Sequence, residues 1–131
     1  MTRGEFEALV AQEFEKAIPE KFRPHIKNVA FLVEDEPDEE IRKTEGLGRH
    51  ETLLGLYRGI PTPMRGDFYG MGTTMPDTIT LYQLPIEDEA RESGLNVAQV
   101  IRETIWHEVA HHFGMNEHEV RRREDERDGI V

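Results

Sequence analysis

Apolar positions change their period several times along the chain, and each change marks an element. Phe6, Leu9, Val10, Phe14, Ala17 and Ile18 recur at three- and four-residue intervals, the spacing of one helical face, and Pro19 ends the run. Thr2 with Glu5 three residues on makes a capping-box pattern ahead of it. Asn28 to Val33 reads as a strand; the Glu34 to Glu40 run that follows carries too much like charge to fold inward and predicts an exposed loop. Thr52 to Arg58 and Thr78 to Gln83 are two further strands. Between them Gly59 to Asp77 is rich in Gly, Pro and Met, and connections beyond about 12–15 residues without structure of their own are often functional loops. It is read as a rim or lid, or as a surface excursion packed by Phe68, Tyr69 and Met71. Pro85 to Glu92 is a short acidic helix, and Asn116 to about Arg127 a C-terminal one.

The best-defined helix lies between these last two. Asn96 followed by Gln99 is a second capping box, with Leu95 and Val100 placed for a hydrophobic staple, so the helix should begin near Val97. Counting ~100° per residue puts Ala98, Ile101, Ile105, Trp106, Val109 and Phe113 in one broad apolar arc. His112 falls within that arc and reads as a buried, hydrogen-bonded histidine or a group supporting a ligand. Gly114 can take the left-handed conformation that ends a helix and turns the chain back.

Nearly opposite the arc lie His107 and His111, about 40° apart around the axis, so their imidazoles can converge on one ion. Together with Glu108 they spell H-E-x-x-H, followed by x-x-Gly. Zinc accepts neutral imidazole nitrogen, and a catalytic zinc site keeps three protein ligands and one position for water. Glu108, a quarter-turn from His107, suits a carboxylate that works on the water as general base.

A third ligand must come from beyond Gly114. The register H-E-x-x-H-x-x-G-x-x-ligand selects Glu117, with His118 next to it and chemically able to serve. Glu117 also has a plain reading: Asn116 and Glu119 make another capping box, and an acid in the first turn complements the helix dipole. Glu103, four residues before His107, is placed either to orient that ring or to face solvent.

His107-Glu108-Val109-Ala110-His111-His112-Phe113-Gly114, with an acid three places after the glycine, resembles the compact bacterial zincin-like metallopeptidases, or minimal metallopeptidase domains. The likeness extends to Leu56-Tyr57-Arg58-Gly59-Ile60-Pro61 and to the Thr78-Ile79-Thr80-Leu81-Tyr82 strand. The resemblance implies a small α+β, zincin-like fold, with the zinc helix packed on a short sheet. The metzincins are a poorer match, because no methionine follows Met115 and Glu117 stands where they commonly have histidine.

Composition narrows the picture. A chain of 131 residues is one domain, spanning 1–131, with a sheet of three or four strands against the N-terminal helix and the zinc-binding helix. Absence of cysteine leaves histidine and carboxylate as the strong ligands. A net charge of −11 repels nucleic acid, and Arg121-Arg122-Arg123 sits among acids as a solvated face. The N-terminus has neither a signal-peptide pattern nor a long apolar run, which predicts a cytoplasmic protein with no membrane association. Sequence does not fix the oligomeric state.

The expected function is zinc-dependent hydrolysis of a peptide or protein substrate: Zn2+ held by His107, His111 and Glu117, with Glu108 moving the proton. An extended substrate would pair with the edge strand carrying Leu54 to Tyr57, where Gly55 permits close approach. Tyr57 and Tyr82 are candidates for an oxyanion contact but more simply fill the core; His25 and His50 are isolated and have no assigned task. The alternative is a catalytically silent zinc-binding interaction module, closed by His118 as a fourth protein ligand and leaving Glu108 without a task. A metal-dependent ribonuclease is a third class, opposed by the acidic charge and by Glu108.

Overall fold

Thr2 Oγ1 accepts from the backbone N–H of Glu5 at 3.1 Å and Glu5 Oε1 accepts from the backbone N–H of Thr2 at 3.0 Å, so the expected capping box opens the first helix, α1 (Arg3–Ala17). The computed structural model describes residues 1–26, 28–59, 76–115 and 117–129. After α1 come a 3-10 turn (Glu20–His25), β1 (Val29–Glu34), α2 (Glu39–Thr44), β2 (Gly55–Arg58), β3 (Asp77–Tyr82), α3 (Gln83–Ser93), α4 (Val97–His112) and α5 (Glu117–Asp128). Residues 60–75 of the long connection lie outside the described part, and with them the expected rim or lid and its Phe68, Tyr69 and Met71.

The described strands form one sheet of order β1-β3-β2, with β1 parallel and β2 antiparallel to the central β3. Ile79 and Leu81 of β3 are fully buried, beneath helices α1 and α4 that pack mainly on each other. Phe6 and Val10 of α1 meet Ile101, Ile105, Trp106 and Val109 of α4 in one apolar cluster, to which Ile86 and Val120 add from α3 and α5. Full burial of such side chains stabilises by about 1.5–3 kcal/mol each, so this cluster fixes where α4 lies on the sheet.

Two expectations change. The acidic run is not loop throughout: Asp38 accepts from Ile41 N–H at 2.8 Å and starts α2, with Glu39 and Glu40 in its first turn and Arg42 and Lys43 in its last. Like charge there is tolerated because it sits at the positive end of the helix dipole. Strand β2 is also shorter than Thr52 to Arg58, beginning only at Gly55. No helix among the described residues is long and apolar enough to cross a membrane.

Candidate active site

Helix α4 is positioned at both ends by its own sequence. Asn96 accepts from Gln99 N–H at 2.8 Å. At the other end Gly114 takes φ +79°, with Gly114 N–H bonded to His111 O at 2.9 Å and Met115 N–H to Ala110 O at 3.0 Å, a Schellman closure. Between these ends Ile101, Ile105, Trp106 and Val109 are fully buried, while His107 and Glu108 are half-buried and His111 is exposed on the opposite side. The two histidine rings lie 6.2 Å apart, centroid to centroid.

Strand β2 makes the second wall. Tyr82 N–H donates to Leu54 O at 2.9 Å, and antiparallel pairing alternates, so Leu56 and Arg58 bond into β3 while the peptide groups of Gly55 and Tyr57 turn outward. One outward group has a partner: Tyr57 N–H donates to Glu108 Oε1 at 3.1 Å. Among the described residues Glu108 Oε2 accepts no hydrogen bond. Gly55 is needed for this approach, because a Cβ there would lie 2.9 Å from Thr104 Cγ2 and 3.2 Å from the Thr80 carbonyl.

Helix α5 supplies a third side. Val120 is fully buried against α4, and Trp106 Nε1 donates to its carbonyl at 3.2 Å. One turn later, on the same face, Glu124 places Oε2 3.3 Å from His107 Nε2. Glu117 opens α5, but its side chain lies outside the described part, as does Asn116; His118 is exposed.

Burial pushes the Glu108 carboxyl above the ordinary carboxylate range, opposed by the Tyr57 N–H and by His111 and His107. Burial, reinforced by the Glu124 charge, pushes Glu103 up as well. Glu103 makes no hydrogen bond to His107; among the described residues Glu124 is the carboxylate at that ring.

His112 corrects the sequence reading. It is exposed, and its ring stacks on Tyr57 at 4.0 Å and 19°. Phe113, also placed in the apolar arc, is 45% exposed. The packed part of α4 ends at Ala110, one turn before the apolar arc does. Tyr57 is half-buried against the core, its hydroxyl donating to Asp77 Oδ2 at 2.7 Å, and Tyr82 is buried, both as expected. Glu124 is the residue that sequence reasoning missed; its signal was the four-residue spacing from Val120, the buried apolar position of α5.

The comparison with protein families converges on this arrangement, since the family model described as zincin-like metallopeptidase matches residues 26–127, from just before β1 into the last turn of α5. The chain belongs to the zincin-like metallopeptidase family. No curated protein matches it. The small mixed sheet under a helix carrying H-E-x-x-H is the α+β architecture expected of such a fold.

For this zincin-like chain the donor set can be tested against a metal. Among the described residues no three of His, Asp and Glu already converge on one point. The donor types at hand, imidazole nitrogen and carboxylate oxygen, are ones zinc accepts, and exposed His111 lies one turn from His107 along the same helix face.

Proposed function

We propose that the chain is a zinc-dependent peptidase in which His107 and His111 hold the ion and Glu108 is the general base. The observation that carries this reading is the Tyr57 N–H to Glu108 Oε1 bond. It anchors one carboxylate oxygen, leaves the other available to take a proton, and holds the base at the outward edge of β2, where an extended peptide can pair. A zinc site without turnover needs no base and usually closes with four protein ligands.

When bound, zinc supplies Lewis acidity toward water and the scissile carbonyl. The protein's own groups do the rest. Glu108, with a carboxyl raised by burial, takes the proton from water and returns it to the leaving amine. The outward peptide group of Gly55 offers donor and acceptor to the substrate backbone, which is strand addition to a sheet edge. Glu124 of α5 holds the His107 ring through its Nε2.

Glu117 is the third ligand by motif register. The 3.3 Å contact favours a second reading, in which Glu124 supplies that carboxylate. Cleavage of a quenched-fluorescent peptide library by zinc-loaded protein tests the activity; no cleavage above that of Glu108→Gln would remove it.

A further inference from the structure

We propose that the cavity beside Glu108 is a subsite for a lysine or arginine side chain of a peptide laid along β2, with Glu103 and Glu89 receiving its charge. This rests on the peptidase reading of the same site. The cavity has a volume of about 300 Å3, and both Gly55 and Glu108 border it, so its occupant belongs to a residue next to the bond that Glu108 serves.

Its walls are apolar: Leu53, Leu54, Leu95 and Val100 line it. Thr104 adds to this character, because its hydroxyl donates to Val100 O at 2.7 Å while its methyl faces Gly55. His107, Glu108 and His111 close the cavity on the catalytic side, and two further carboxylates border it, Glu89 from α3 and Glu103 from α4. Neither forms a hydrogen bond or ion pair through its carboxylate among the described residues. Some helical acids do: Asp88 pairs with Arg91, Glu13 with Lys16 and Arg102, and Glu119 with Arg122 and Arg123. Of the arginines whose charge reaches Glu103, Arg102 stands 3.7 Å from Glu13, and Arg127 pairs with Asp128 and donates to the Ala17 carbonyl.

Glu103 is half-buried with no hydrogen bond to its carboxylate among the described residues, a desolvation cost that an arriving cation offsets, while exposed Glu89 adds charge at the mouth. Burial and the neighbouring Glu124 charge raise the Glu103 carboxyl further than His107, Arg127 and Arg102 lower it. Lysine and arginine carry an apolar stem ending in a charge, which matches apolar walls ending in carboxylates. An aliphatic side chain of equal length would fill the walls and leave the acids unpaired; an acidic one would be repelled. The net charge of −11 draws basic peptides toward the site over a longer range.

The test measures binding separately from turnover. Zinc-loaded Glu108→Gln protein is titrated into fluorescein-labelled alanine hexapeptides carrying one arginine, norleucine or glutamate, and anisotropy is read. The arginine peptide should bind at least tenfold tighter than norleucine, with glutamate weakest. Adding Glu89→Gln and Glu103→Gln should bring arginine and norleucine within about twofold. Equal binding of arginine and norleucine, a preference unchanged by the two substitutions, or no binding of the arginine peptide would overturn the subsite. Hydrolysis by wild type without arginine preference sinks the subsite alone; arginine preference without hydrolysis sinks the peptidase reading alone.

Discussion

Tyr57 and Glu108 join the sheet edge to the motif helix: a backbone N–H that antiparallel pairing turns away from β3 donates across 3.1 Å to the carboxylate proposed as base. The strand position and the base position are therefore one geometric fact. Whatever moves β2 relative to α4 should change catalysis as well as stability.

Gly55→Ala is the direct probe of that coupling. Its methyl would lie 2.9 Å from Thr104 Cγ2 and 3.2 Å from the Thr80 carbonyl oxygen, and the second contact is backbone that cannot step aside. We expect a loss of about 1–3 kcal/mol in urea unfolding, typical of overpacking, and at least tenfold lower kcat/KM. Adding Thr104→Ser, which removes the methyl, should restore part of both. Wild-type stability for Gly55→Ala would show that the strand does not sit this close.

Glu117 and Glu124 are separated by zinc affinity. Loss of a ligand should weaken zinc binding by at least a hundredfold in a chelator competition, whereas loss of a supporting hydrogen bond to a ligand histidine costs about 10–100-fold. If Glu117 ligates, Glu117→Gln shows the large loss and Glu124→Gln the small one; the reverse order assigns the ligand to Glu124. Tighter zinc binding in Glu124→Gln would mean that the 3.3 Å contact competes with the metal, contradicting both roles.

Much of this arrangement could be read from the chain. Helices α1 and α4 were legible because caps and periodicity agree, Thr2 with Glu5 and Asn96 with Gln99. The opposition of His107 and His111 to Ile101, Ile105 and Val109 followed from helical geometry alone. Contacts between elements distant in sequence were not legible. Tyr57 and Glu108 are joined by sheet register and helix placement together, and His107 and Glu124 by the packing of Val120 under Trp106. Local charge patterning also misled: Glu124 lies in an Arg/Glu-rich stretch that reads as solvent-facing, and one apolar residue in α5 decides otherwise.

Trp106→Phe tests that packing. It deletes the bond from Nε1 to the Val120 carbonyl and leaves space in a fully buried position. The lost hydrogen bond and the cavity together should cost about 2–4 kcal/mol in denaturant unfolding. Zinc affinity should fall too, because α5 carries both candidate carboxylates; an unchanged affinity would place the third ligand elsewhere.

Zinc removal should lower thermal stability. An ion that binds only the folded chain stabilises it by about 2.7 kcal/mol at a hundredfold excess over Kd, or roughly 8–15 °C in Tm for a domain of this size. Differential scanning fluorimetry with zinc and with chelator checks this. Identical Tm values would argue against a specific zinc site.

The central claim, that His107 and His111 hold zinc for a base at Glu108, is tested most directly by one paired measurement on Glu108→Gln: zinc content and peptide cleavage rate in the same preparation. Wild-type zinc and at least a hundredfold lower kcat are expected, since general base catalysis contributes about 10²–10⁴-fold. Full zinc with an undiminished rate would contradict the assignment of the base, and full zinc with no cleavage by wild type would identify a zinc-binding module without turnover.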